Sequence, residues 1–131
     1  MIDHLDHLVL TTAKENECID FYTRVLGMKL ELFIGGTPPV ERKAFKFGNQ
    51  KINIHIKGKE LEPKANFPTP GSQDLCFIAD RPLAQVIEKF KAEGWSIIEG
   101  PVMRTGATQK INSVYVRDPD QNLIEVSELI K

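Results

Sequence analysis

The sequence predicts an α+β fold in which one strand–helix–three-strand module is used twice, and three observations carry that expectation. First, hydrophobic period two, then period 3.6, then three further runs of period two appear in the N-terminal half and again in the C-terminal half. Second, landmarks in the two halves share one offset: His7 to Asp74, Ile19 to Val86 and Gly27 to Gly94 are each 67 positions apart. Third, a stretch rich in Pro, Gly and Lys, GKELEPKANFPTPGS at 58–72, separates the halves and reads as a linker. The expected organisation is one domain over residues 1–131, with module one at about 1–60, the linker at about 58–72 and module two at about 73–131. A module of about 65 residues buries little apolar surface alone, so the two modules are expected to pair.

Each element has a local cause. In DHLVLTT, residues 6–12, Leu5, His7, Val9 and Thr11 share one strand face and Asp6, Leu8 and Leu10 the other. KENECIDFYTRVLGMK follows with Cys18, Ile19, Tyr22, Val25 and Leu26 at helical spacing and Gly27 as a C-terminal stop. KLELFI, KAFKFG and KINIHIK are strand-like, parted by turn signals at Gly35-Gly36 and Gly48-Asn49. In the second half QDLCFIA reads as a strand. RPLAQVIEKFKAEG reads as a helix with Leu83, Val86, Ile87 and Phe90 on one stripe, Pro82 near its start and Gly94 at its end. WSIIEGPV, NSVYVRD and NLIEVSE supply three more strands, and DPDQN before the last of them is turn chemistry.

Composition narrows the function. Lys and Arg number 17 and Asp and Glu 18, for a formal net charge of −1, which argues against nucleic acid or an anionic membrane as partner. No apolar run approaches the roughly 20 residues of a membrane span. The first residues, MIDHLDHLVL, lack the order of a signal peptide. Two distant cysteines, Cys18 and Cys76, read as reduced thiols, so a cytoplasmic protein is expected.

The residues that can carry chemistry sit at equivalent places in the two modules. The first strands offer His7 and Asp74; the last strands offer Glu125 and, from module one, Asn53 or His55, since a two-residue register ambiguity leaves both on one face. Glu125 stands between Ile124 and Val126, where plain alternation toward water competes with a role on a functional face. His4, an odd number of residues before His7, is expected on the opposite strand face and outside the site. Cys76 shares the Asp74 face but reads as an inert thiol. VMRTGATQK, residues 102–110, reads as a loop in which Arg104, Thr105 and Lys110 could capture a carboxylate or phosphonate. Tyr115 and Trp95 read first as core aromatics, with Tyr115 also a substrate-contact candidate.

On DHLVL at the start, DPDQNLIEV at the end and the paired modules, the chain resembles the vicinal oxygen chelate superfamily, which includes glyoxalase I, fosfomycin-resistance enzymes, extradiol dioxygenases and bleomycin-binding proteins. RKAFKFGNQKINIH, EPKANFPTPGSQDLCFI and EGPVMRTGA are most similar to its glyoxalase-domain-containing and bacterial virulence-protein branch, related to the fosfomycin-resistance enzymes. The resemblance implies two βαβββ modules forming an open, eight-stranded, cup-shaped sheet. It also implies a divalent metal (Mn, Zn, Ni, Mg or Fe) chelated by adjacent oxygens of a small substrate. The ligands it implies are His7 and Glu125, with Glu125 also the candidate base. Asp74 stands where the family pattern has His, and His55 is a candidate to compensate. Arg104, Thr105, Lys110, Asn53 and Tyr115 are the implied substrate contacts. The implied activity is that of a metal-dependent lyase or isomerase, or of an epoxide-opening transferase or hydrolase, with glutathione a possible co-substrate. A non-enzymic binding protein of the bleomycin-resistance type is the alternative, and an extradiol-type dioxygenase a third reading. A homodimer is the implied assembly.

Overall fold

Alternating branched residues form strands, and the apolar stripes form the helices that cover them. In the computed structural model, which describes residues 1–131, the chain divides into two units, Met1–Gly71 and Ser72–Lys131. The first holds β1 (His7–Thr12), α1 (Glu15–Asp20), β2 (Lys29–Gly35), β3 (Val40–Phe47) and β4 (Gln50–Ile56). The second repeats the order with β5 (Asp74–Ile78), α2 (Leu83–Ala92), β6 (Glu99–Thr105), β7 (Lys110–Arg117) and β8 (Leu123–Leu129). Each unit builds a four-stranded sheet of the same topology, β1-β4-β3-β2 and β5-β8-β7-β6. The first and last strands of each unit pair in parallel, and the other neighbours are antiparallel. This is the α+β class with two tandem βαβββ modules.

Each sheet buries one face against its helix. In the first unit Leu10, Phe45, Ile52 and Ile54 are buried with Cys18, Phe21, Tyr22 and Val25 of the helical segment. The Tyr22 ring stacks on Phe45 at 4.8 Å, and Phe21 meets Tyr22 edge-on at 5.0 Å. The helix expected to stop at Gly27 is α-helical only through Asp20 and then widens into π-helical turns over Phe21–Val25. In the second unit Leu83 and Phe90 of α2 are buried, as are Val114, Val116, Ile124 and Val126 of β7 and β8. The Glu128 carboxylate of β8 accepts from the Leu83 N–H at 3.1 Å, tying the first turn of α2 to the sheet.

Two boundaries differ from the sequence reading. The strand expected from Trp95 begins at Glu99, because Trp95 still caps α2 through its N–H to Phe90 O at 2.8 Å. The expected loop at 102–110 is largely strand: β6 runs through Thr105 and β7 begins at Lys110, with a tight turn between. Extended backbone there satisfies the ladder hydrogen bonds that a loop would leave to water. Gly100 lies at φ +100 in the irregularity between Glu99 and Val102, where an added Cβ would stand 2.3 Å from Ser113 O.

The DPDQN turn is built around a buried carboxylate. Asp118 is 1% exposed; its Oδ1 accepts from the N–H groups of Asp120 and Asn122 at 2.9 Å each, and its Oδ2 from Asn122 Nδ2 at 2.8 Å. Asn122 Oδ1 in turn accepts from Gln73 N–H at 2.8 Å, which joins the turn to the start of β5. Gln121 takes φ 73, the left-handed conformation usually left to Gly or Asn.

Asp118→Ala is expected to cost about 3 kcal/mol, because it strands buried donors around one charged acceptor; urea unfolding measures it. Gly100→Ala is expected to cost roughly 2–4 kcal/mol through the clash with Ser113 backbone. A Gly100→Ala midpoint equal to that of the parent chain would show that β6 shifts freely.

Candidate functional site

Register decides which side chains share the face away from the helices. In the first sheet Val9 lies opposite Asn53 and Thr11 opposite His55. In the second, Cys76 lies opposite Glu125 and Ile78 opposite Ser127. Val9 and Cys76 carry the 67-residue offset, so Asn53 is the counterpart of Glu125 and His55 the counterpart of Ser127. The ambiguity between Asn53 and His55 resolves in favour of Asn53.

The register also orders the expected ligands by distance from His7. His7 lies opposite Lys51, four residues before His55, so the two histidines are about 13 Å apart along the strands. At that separation two imidazoles share an ion only if both lean fully toward each other. Asn53 is closer, one two-residue repeat from the position opposite His7, about 8 Å between Cα atoms. Asp74 and Glu125 stand in the same relation, since Asp74 lies opposite Leu123.

The His7 Nδ1 lies 2.8 Å from Asp6 Oδ1. A carboxylate on Nδ1 selects the tautomer whose Nε2 carries the lone pair, the arrangement that metal-binding histidines use. His4 precedes β1, is exposed and pairs with Asp3, so it lies outside the strand as well as outside the site. Asn53 is 5% exposed, and its Oδ1 is buried with no hydrogen-bond partner. An unpaired buried carbonyl oxygen costs on the order of 1–3 kcal/mol. A cation or a substrate donor is the chemistry that would satisfy it.

Glu125 answers the question its sequence posed. It is half-buried, and its Oε2 accepts from Ser113 Oγ at 2.6 Å and from Ser127 Oγ at 3.4 Å. Ser113 and Ser127 are fully buried and 2.7 Å apart, and Cys76 Sγ is 3.4 Å from Ser127 Oγ. The carboxylate is thus held by a hydroxyl pair rather than left to solvent. Both serines were missed in the sequence, although each lies two residues from a named candidate and so on its face, Ser113 from Tyr115 and Ser127 from Glu125. Burial raises the Cys76 thiol pKa above its ordinary value, with the Glu125 charge adding to it and Ser127 opposing. The thiol is therefore held in its protonated, less nucleophilic form.

The anion-capture trio does not converge. Arg104 lies opposite Ile111 and faces with Ser113, Tyr115 and Glu125. Its Nε donates to Tyr115 Oη at 3.0 Å and its Nη2 to Glu99 at 3.2 Å. Thr105 and Lys110 face the opposite way, and Lys110 Nζ donates to Thr105 Oγ1 at 3.1 Å. Strand alternation, in place of a flexible loop, separates them. Burial raises the Tyr115 pKa and Glu125 adds to that, while Arg104 pulls the other way. Tyr115 stays a protonated donor on the Glu125 face.

Within neither unit do three or more His, Cys, Asp or Glu side chains group in a way that could hold a metal ion. What each sheet presents is a pair, His7 with Asn53 and Asp74 with Glu125. The pair in the first unit offers an imidazole nitrogen and an unpartnered amide oxygen, and the pair in the second offers two carboxylates; each is a donor set that a divalent cation accepts.

The chain matches the Glyoxalase/Bleomycin resistance protein/Dioxygenase superfamily over residues 4–126, and it belongs to that family. It is 51% identical over 130 residues to virulence protein STM3117 of Salmonella typhimurium, covering 99% of this chain and 87% of that protein. The crystal structure of that protein superposes with a TM-score of 0.92 over 99% of each chain. Glyoxalase domain-containing protein RDO1 of Mycosarcoma maydis is 54% identical over 123 residues, which are 94% of this chain; the chain spans 66% of the fungal protein. A lactoylglutathione lyase from Agrobacterium tumefaciens, 22% identical, shares the fold with a TM-score of 0.73 over 98% of this chain and 95% of that one.

His55 gives a pH expectation. It is 5% exposed, and burial, with Arg42 beside it, lowers its pKa below the ordinary 6.5. The folded chain then binds fewer protons than the unfolded chain below that value, so stability present above about pH 6.5 falls as pH drops toward the folded pKa. His55→Gln is expected to flatten that acid-side loss in urea midpoints measured across the range. An unchanged slope would mean that other groups dominate it.

Proposed function

We propose that the protein is a metal-dependent, glyoxalase-like enzyme that acts on a small oxygenated molecule, in the manner of an isomerase, lyase or epoxide-opening enzyme. The observation that supports this most is the repeated pair. Each sheet carries a donor on its first strand and a donor one repeat along its last, His7 with Asn53 and Asp74 with Glu125. Within each unit the pair supplies the proposed metal ligands, and His55 is the weaker candidate because it lies farther along the strands from His7 than Asn53 does. A bound divalent ion would supply Lewis-acid stabilisation of developing oxyanion charge on the substrate.

The remaining roles belong to the chain. Asp6 holds the His7 tautomer through Nδ1. Ser113 and Ser127 position the Glu125 carboxylate, which is suited to accept a proton from carbon or water. The Tyr115 hydroxyl, oriented by Arg104, faces the same way and can donate to a substrate oxygen. A homodimer is the proposed assembly, supported by exposed Leu32 and Ile34 on the sheet-edge strand β2. Free Cys18 and Cys76 support a reducing, cytoplasmic setting.

Metal analysis of the purified protein, joined to a screen of the methylglyoxal–glutathione adduct, fosfomycin and small epoxides, tests the proposal. Stoichiometric divalent metal is expected. It should be lost in His7→Ala and Glu125→Gln, kept in His55→Gln, and held about tenfold more weakly in Asp6→Asn. A protein that takes up no divalent metal yet binds a small molecule would instead be a sequestering protein.

A further inference from the structure

Arg42 is a cation without a carboxylate. It projects from β3 on the same face as Asn53 and His55. Its guanidinium carbon lies 5.4 Å from the centroid of the Phe33 ring, and its Nη2 is 3.3 Å from His55 Nε2. A guanidinium only donates, so the imidazole accepts through a bare Nε2 and is neutral. Of the acids nearby, Glu41 stands on the opposite face of β3, and two others have partners of their own. Glu15 pairs with Lys43 Nζ at 3.4 Å, and Glu60 accepts from Gly58 N–H at 2.7 Å. Phe33 and His55 therefore orient the guanidinium without cancelling its charge.

Arg42 and His55 also line a cavity of about 330 Å³, where Lys43 and Lys59 add positive charge and Glu15 and Glu41 add negative charge. It lies wholly within the first unit. The sheet face around Arg42 is strongly basic. Lys29, Lys46 and Lys51 share it with Arg42, and Glu31 is the single carboxylate on these four strands that faces the same way. Lys46 lies directly opposite both Lys29 and Lys51, an arrangement that repels unless an anion is nearby. Such a face concentrates anions, and a fixed guanidinium can take one through two parallel N–H bonds.

We propose that this cavity is an oxyanion-binding site, in which Arg42, backed by Phe33 and His55, takes the carboxylate or phosphonate group of a small molecule. The site needs no metal and uses none of the four proposed metal ligands.

The test is an NMR titration of the ¹⁵N-labelled full chain, pretreated with chelator, using acetate in one arm and methylphosphonate in another. Saturable shifts of the Arg42 side-chain N–H and the His55 ring are expected with at least one probe, and none with chloride at matched ionic strength. Saturation by acetate alone identifies a carboxylate site, and by methylphosphonate alone a phosphonate site. Arg42→Lys is expected to weaken binding by about tenfold, because a point charge replaces a planar fork. Phe33→Leu, which keeps every charge, should weaken it as well, with amide spectra showing both variants folded. His7→Ala should bind the probe as the parent chain does, which separates this site from the metal. Absence of saturable shifts with both probes, equal shifts with chloride, or parent-like affinity in folded Arg42→Lys would overturn the proposal.

Discussion

The parallel pairing of first and last strands within each unit is the constraint on which the rest depends. Side chains alternate with a period of two, so the pairing offset decides every facing at once. With Val9 against Asn53, the apolar set of Leu10, Ile52 and Ile54 is turned to the helix, and His7, Asn53 and His55 are turned away from it. With Cys76 against Glu125, Ile124 and Val126 are buried and Glu125 joins Ser113 and Ser127. A slip of one residue in either pair would bury the functional side chains and expose the core.

The two units keep one backbone plan and have diverged in charge. The outward face of the first sheet holds an unpartnered amide oxygen, a neutral imidazole and four basic side chains, Lys29, Arg42, Lys46 and Lys51. The corresponding face of the second holds a carboxylate clamped by hydroxyls, a protonated phenol and a protonated thiol. One face suits the capture of negative charge, the other proton transfer and the donation of hydrogen bonds. A duplication can specialise in this way because the buried faces alone maintain the fold, which leaves the outward faces free to change.

The secondary elements were legible because local physics sets them. Hydrophobic period, the glycine at the end of each helix and the turn residues of DPDQN all act within a few residues of themselves. The boundaries that moved are those where a partner strand decides. Arg104 and Thr105 carry loop-like neighbours in Gly106 and Ala107, yet β7 extends the ladder and sets them on opposite faces. The π-helical turns at Phe21–Val25 bring both Phe21 and Tyr22 into the core, a packing demand that period 3.6 does not announce.

For the site, the sequence by itself determined which residue types stand at repeated positions: His7 and Asp74 on first strands, Glu125 on a last strand, and the offset that relates the modules. Tertiary structure alone decided that Asn53, not His55, corresponds to Glu125, because that choice rests on hydrogen-bond register between strands more than forty residues apart. It also decided that Ser113 and Ser127 hold the carboxylate and that Arg42 has a ring and an imidazole for neighbours instead of an acid. Most of those contacts cross between neighbouring strands. Their energies depend on burial and on distances of about 3 Å, which no pattern along a single strand encodes.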